Sequence, residues 1–333
     1  MEGKSKLMLS ASSLATFQSC RKRYEYEKIR GIYPNERPVA LDFGTAMHRG
    51  LERVFRGVRE FQETTPEPDW CKWLCQVGED AELSSRTVDL SESDRIKVEV
   101  LLDRYTTKYA CSDAFGDNRL RVIDVEHSMA QPLIGPNGRK ALRYGVHGIA
   151  DAVVECTDGE VAIVEHKTVA AITEQYCDRV EIDTQVLLYA YMLTLELGKP
   201  VRRVIYDIIQ KPRHEMAVGE TDGEFEARKA AAKCPDRCKR KVAEEPHEFR
   251  QRLADAIDDG YFMRHVVEID GETMDDFKKD LWEMVHDVGE CDRYYRQTCN
   301  CLKFGSCPYM DLCRNHGRIE GLEGQYHTAS KED

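Results

Sequence analysis

Residues 148–168 read GIADAVVECTDGEVAIVEHKT, two β-branched apolar runs on either side of Asp158-Gly159. The period of two and the turn dipeptide predict an antiparallel hairpin. Each run carries a carboxylate where a core residue belongs, Asp151 near the start of one strand and Glu165 near the end of the next. Buried carboxylates on neighbouring strands repel, so the pair needs a proton or a cation between them. A divalent ion such as Mg2+ or Mn2+ meets that need, because it takes hard oxygen ligands, typically a couple of carboxylates plus water and substrate phosphate. Lys167 lies two residues past Glu165 and shares its strand face. Such a cluster suits phosphodiester hydrolysis, where a metal polarises the phosphoryl oxygen and acidifies water while a lysine positions that water or offsets the growing charge. The plain alternative for Glu165 and Lys167 is a half-exposed ion pair on an edge strand.

The hairpin lies in a longer change of period. RLRVIDVEHSMAQPL from 119, ALRYGVHGIADAVVEC from 141 and EVAIVEHKT from 160 predict three consecutive antiparallel strands, with a first turn at Gly135 to Gly138. Upstream, Ser10 or Ser12 can cap a helix over about 12–29 that Gly31 ends, and a second helix carries Ala46, Leu51, Val54 and Phe55 as its apolar stripe with His48 inside it. Residues 66–118 are polar with helical periodicity and are expected to form a helical insertion. Downstream come a helix over about 181–197, a strand RRVIYDIIQ, a charged stretch beginning at 211, another helix, a strand YFMRHVVEI and a helix over about 272–296. This order predicts an α/β fold, a mixed sheet flanked by helices, in a single domain over 1–333. Within it, 119–210 is the expected core, 211–250 a charged insertion and 291–316 a cysteine-rich C-terminal region.

Composition narrows the function. The 333 residues are 41% hydrophobic, enough for a globular enzyme. No apolar run reaches the roughly 20 residues that span a bilayer, and no secretory pattern opens the chain, so a cytoplasmic protein without a membrane partner is expected. A net charge of −12 argues against binding by bulk electrostatics alone. Residues 1–60 run the other way, with 12 Lys or Arg against 7 Asp or Glu, and RKRYEYEKIR at 21–30 interleaves basic and aromatic side chains. That run is either a solvated helix face or a surface for phosphates and unpaired bases.

Further side chains join the hairpin. Gln185 and Tyr189, four apart on the predicted helix, share a face that can point back at the sheet end. His48 follows Gly44 by four residues, and a neutral imidazole can ligate a transition metal. Read singly, a lone histidine is an ordinary hydrogen-bonding residue and a tyrosine in LLYAYML is ordinary core. Taken in order, Gly44 with His48, Gly148 with Asp151, Glu165 with Lys167, and Gln185 with Tyr189 resemble the motifs of the RecB-like PD-(D/E)XK nucleases. That family includes the RecB and AddB nuclease domains and the CRISPR-associated RecB-like exonucleases. The resemblance implies a restriction-endonuclease-like fold and a metal-dependent DNA exonuclease of end processing, recombination, repair, or CRISPR or phage DNA metabolism. Helicase, recombination or CRISPR-adaptation partners are implied with it. It further implies that His48, Asp151 and Glu165 ligate Mg2+ or Mn2+ with the backbone carbonyl of His166, that Lys167 is the catalytic lysine, and that Gln185 and Tyr189 line the site and contact substrate. A non-catalytic DNA-end-binding scaffold that retains the fold is the alternative.

Thirteen cysteines in a reducing compartment are packed hydrophobes or metal ligands rather than a disulfide framework. TCNCLKFGSCPYMDLCRN clusters Cys299, Cys301, Cys307 and Cys313, a pattern that fits zinc or an iron–sulfur cluster. Either these four form a site alone or Cys20 joins three of them. The resemblance implies a 4Fe-4S cluster held by one cysteine ahead of the nuclease motifs and three after, here Cys20, Cys301, Cys307 and Cys313, stapling the chain ends. Zinc is the alternative metal. The five residues between Cys301 and Cys307 depart from the usual spacing of two and leave Cys299 as a rival.

Overall fold

The predicted hairpin forms the middle of a sheet. In a computed structural model, residues 6–36, 39–64, 69–115, 119–303 and 305–329 are described. The strands are β1 (Leu7–Leu9), β2 (Ile32–Pro34), β3 (Arg121–Ile134), β4 (Lys140–Glu155), β5 (Val161–Val169), β6 (Arg203–Gln210), β7 (Phe262–Glu268) and β8 (Tyr326–Thr328). The helices are α1 (Ala11–Ser19), α2 (Arg21–Tyr24), α3 (Val39–Thr64), α4 (Trp70–Ser85), α5 (Glu92–Tyr105), α6 (Cys111–Phe115), α7 (Glu174–Val180), α8 (Thr184–Leu197), α9 (Asp222–Ala231), α10 (Pro246–Ala256), α11 (Gly271–Gly289) and α12 (Met310–Arg314). None of the described helices is long and apolar enough to cross a membrane.

The sheet is mixed, as the element order predicts. Strands β3, β4 and β5 are antiparallel in sequence, β5 and β6 are parallel across the α7–α8 connection, and β7 closes the edge antiparallel to β6. β3 covers one edge of β4 along its length, while β1 and β5 share the other. β1 pairs with Tyr144 to Val146 and β5 with Ala152 to Glu155. The opening between those two ladders, at residues 147–151, is where Asp151 sits.

Alternation on β5 sorts the two cores. Val161 and Ile163 pack with α1, α8 and α11 on one face. Ala162 and Val164 pack with α3, α5 and α10 on the other. Continuing the alternation aims Glu165 and Lys167 at α8 and His166 at α3. A third, small core of Tyr26, Ile32, Tyr309, Leu312 and Tyr326 joins the two ends of the chain. There β2 pairs with β8, and the Tyr309 hydroxyl donates to the Ile32 carbonyl at 3.1 Å.

Several predicted boundaries move. The expected helix over 12–29 breaks at Cys20, whose backbone is extended at φ −161° and ψ 110°. Ser10 caps the first part, and after the break α2 widens into a π-turn over Glu25–Ile29. The cause is tertiary, since the side chains of Gln297 and Asn300 donate to the carbonyls of Gln18 and Ser19. The last long helix stops at Gly289 rather than 296 because the following chain turns to hydrogen-bond with α2, Lys22 N donating to Tyr295 O at 3.1 Å. α8 begins at Thr184, where the Asp183 side chain caps it, rather than at 181. The charged stretch contains α9, started by a capping box of Thr221 and Glu224.

Candidate active site

Asp151 lies one residue beyond the point where β5 stops pairing with β4. Its side chain makes up the missing bond, with Oδ2 accepting the backbone N–H of His166 at 2.7 Å. Its other oxygen lies 3.3 Å from Nδ1 of His48 on α3. Burial alone would raise this carboxyl. The His48 contact, the neighbouring imidazoles and the His166 amide outweigh it and hold Asp151 below the usual carboxylate range. His48 is correspondingly raised, the pull of Asp151 and Glu165 exceeding the opposing effect of burial.

Glu165 is only 3% exposed. Its Oε1 accepts from Lys167 Nζ at 2.5 Å and from Gln185 Nε2 at 2.7 Å, while the buried Oε2 has no hydrogen-bond partner. Burial first, and then the charge of Asp151, push its carboxyl up to about 7 despite Lys167. Lys167 is raised in turn, its carboxylate neighbours overcoming the cost of burial. Gln185 completes the cluster by accepting from Lys167 at 3.0 Å and donating to the Tyr189 hydroxyl at 3.1 Å. Tyr189 packs against Gly148, where an added Cβ would come within 2.6 Å of the ring. A side chain at Gly148 would push the tyrosine off the sheet.

The two faces of β5 are used differently. His166 turns its imidazole away from Glu165 into the opposite core, 4.9 Å from the Phe55 ring and with Nδ1 3.3 Å from Asp207 Oδ2. Only its backbone faces the carboxylates. Behind it, Asp207 accepts from the Tyr105 hydroxyl, and Arg264 makes a two-pronged pair with Asp113 at 2.6 and 2.9 Å. This buried charge group holds the far side of the strand that carries the site.

In front of the carboxylates is a cleft of about 710 Å³ lined by Gly44, His48, Asp151 and Lys167. Four further charged residues line it that the sequence reading does not single out: Arg49, Glu52, Glu126 and Lys211. Glu126 is on β3 with a left-handed backbone, φ 54°, and its neighbours Val125 and His127 pair with Ala152 and Ala150, which places it across from Asp151. Burial first, then Asp151 and Glu52, raise its carboxyl. The available signal was register, because a strand paired along β4 must put some residue opposite Asp151.

The cysteine sites come together at the other end of α1. Cys20, Cys301 and Cys307 line a cavity of about 670 Å³ with Arg23, Arg179 and Lys303. The Cys301 thiol is raised by partial burial and then by its neighbours Cys307, Cys20, Cys313 and Cys299. Cys313 is also raised, chiefly by burial, and contacts the Tyr26 hydroxyl. Among the described residues, no three His, Cys, Asp or Glu side chains are closed around a point that could hold a metal ion, at either site. The donor chemistry nevertheless suits one. The orphaned Glu165 oxygen beside Asp151 is a hard oxygen pair in need of a cation, and the gathered thiols are soft ligands.

Residues 8–314 match a family model described as the PD-(D/E)XK nuclease superfamily. No curated protein matches the chain. Among solved structures, the crystal structure of SSO0001 is similar over 70% of this chain and 85% of that one, at 13% identity and a TM-score of 0.25. That likeness is too weak to bear on fold or chemistry.

Proposed function

The chain belongs to the PD-(D/E)XK nuclease superfamily, and from that premise we propose that it is a metal-dependent DNA nuclease of the RecB-like branch that digests DNA from its ends. One observation carries the reading. Asp151 and Lys167 line one cleft, and Lys167 donates to the buried carboxylate of Glu165, whose other oxygen has no hydrogen-bond partner.

Asp151, Glu165 and His48, with the backbone carbonyl of His166, are the residues to hold Mg2+ or Mn2+. A divalent ion bound there supplies charge to offset phosphoryl oxygens and lowers the pKa of water. Lys167 stays cationic beside Glu165 and orients the attacking water or stabilises the charge that grows on the phosphate. Gln185 fixes the lysine by accepting from it, and Tyr189 fixes Gln185. His48 keeps Asp151 ionised and turned toward the cleft. Arg49 and Lys211 on the cleft wall suit the phosphates of the bound strand.

We assign Cys20, Cys301, Cys307 and Cys313 to a 4Fe-4S cluster, with zinc as the alternative. Their convergence from opposite ends of the chain supports the assignment, as does the cavity that three of them line. The cluster's role is to staple the ends together beside β2 and β8.

Protein purified without oxygen and given Mn2+ should degrade linear DNA and leave closed circles intact. Cleavage of circles at an equal rate would replace the exonuclease reading with an endonuclease. Binding without cleavage of either would leave a scaffold.

A further inference from the structure

Past Lys211, the segment that leaves β6 carries charge that the catalytic reading does not use. Lys211, the first residue past β6, lines the cleft and pairs with Asp94 at 3.1 Å. Beyond it, residues 217–220 run out and 241–244 return alongside them. Glu220 N donates to Lys241 O at 3.3 Å, and Glu244 N donates to Ala217 O at 3.0 Å. α9 and residues 232–240 therefore form the tip of an arm rooted at the cleft rim. The tip has a defined shape, because Arg237 N donates to Cys234 O and Cys238 N to Pro235 O, both at 3.1 Å.

That tip reads KCPDRCKRK, residues 233–241, with five cations against one acid in a chain of net charge −12. Lys233, Arg237, Lys239 and Lys241 are exposed, and none of them makes an ion pair among the described residues. Three of the nearby acids are already engaged. Glu220 binds Arg228, Asp222 binds Arg240 at 2.7 Å, and Glu224 caps α9. Concentrating unpaired like charge on a short loop costs self-repulsion that a bound polyanion relieves.

We propose that this basic tip is a second nucleic-acid contact, gripping the phosphate backbone of the strand whose end enters the cleft. The inference rests on the nuclease reading for its choice of polyanion, and it deepens that reading by giving the substrate a length. The strand must extend past the cleft to reach the arm, so long DNA is held more tightly than short oligonucleotides.

The test measures binding of a labelled long single strand and of a duplex across a salt series without added divalent metal. Wild type is compared with the fourfold variant Lys233→Gln, Arg237→Gln, Lys239→Gln, Lys241→Gln. Each phosphate contact contributes about −0.7 to the slope of log affinity against log salt for single strands and about −0.9 for duplex. Loss of the four cations should flatten the slope by up to ~3 for the single strand and up to ~3.6 for the duplex. The control variant Lys278→Gln, Lys279→Gln, on the paired surface of α11, should keep the wild-type slope. An unchanged slope in the fourfold variant, or equal flattening in the control, would overturn the proposal. Metal-dependent cleavage by wild type is scored separately. Its absence alongside a flattened slope would sink the nuclease reading while leaving the tip as a polyanion site.

Discussion

Asp151 bonds to the strand beside it through its side chain, Oδ2 accepting the His166 amide at 2.7 Å where the β4 backbone no longer pairs with β5. One carboxylate thus both closes a gap in the sheet and faces the cleft. Asp151→Asn keeps an oxygen for the amide but removes the charge, so it should fold like wild type and lose DNA cleavage. Asp151→Ala also strands a buried N–H, at a cost of about 1–3 kcal/mol. Denaturant unfolding beside a cleavage assay separates the two roles.

Glu165 makes stability pH-dependent in an unusual direction. Its carboxyl is raised from 4.5 to about 7 in the folded protein, so the metal-free fold holds a proton that the unfolded chain releases. The contribution is therefore fully present below the unfolded value and lost as pH rises through about 7. Asp151, held low, works oppositely, its contribution present above its unfolded value and lost as pH falls through the folded one. Unfolding free energies of metal-free protein should fall across the Glu165 window. Mg2+ should stabilise increasingly across it, because the carboxyl must release its proton to bind. A Glu165→Gln variant that retained the same profile would assign the proton elsewhere.

The charge group behind His166 predicts a stability defect at a distance. Arg264→Met leaves Asp207 and Asp113 buried without their cation, at a cost of about 3–5 kcal/mol. Urea midpoints measure this, and a loss below 1 kcal/mol, well short of the ~3 kcal/mol floor, would show that the two acids are folded as neutral groups.

At the cysteine site, protein purified without oxygen should show the visible absorption of an iron–sulfur cluster. Cys20→Ala, Cys301→Ala and Cys313→Ala should lose it and lower the melting temperature, because both ends of the chain then come loose. Cys299→Ala should keep the colour. The reverse result for Cys299 and Cys301 would move the second ligand by two residues.

Much of the carboxylate site was legible because it depends on local periods. A strand's alternation put Glu165 and Lys167 on one face, and a helix's four-residue repeat did the same for Gln185 and Tyr189. Glu126 was not legible, because its place across from Asp151 appears only once β3 is set in register on β4. Asp207, inside the apolar run VIYDIIQ, was not singled out, because one of its partners, Tyr105, is 102 residues away. The break at Cys20 depends on side chains of Gln297 and Asn300, 279 and 281 residues from the carbonyls they bind. No local propensity encodes contacts of that range.

The central claim, that Lys167 and the two carboxylates form a hydrolytic site, is tested most directly by Lys167→Ala. Wild type and variant are incubated with end-labelled single- and double-stranded DNA and Mn2+ or Mg2+. Wild type should yield a ladder that chelation abolishes, and the variant should be slower by about 10²–10³-fold while still binding DNA. Equal cleavage by both proteins, or none by either, would contradict the account.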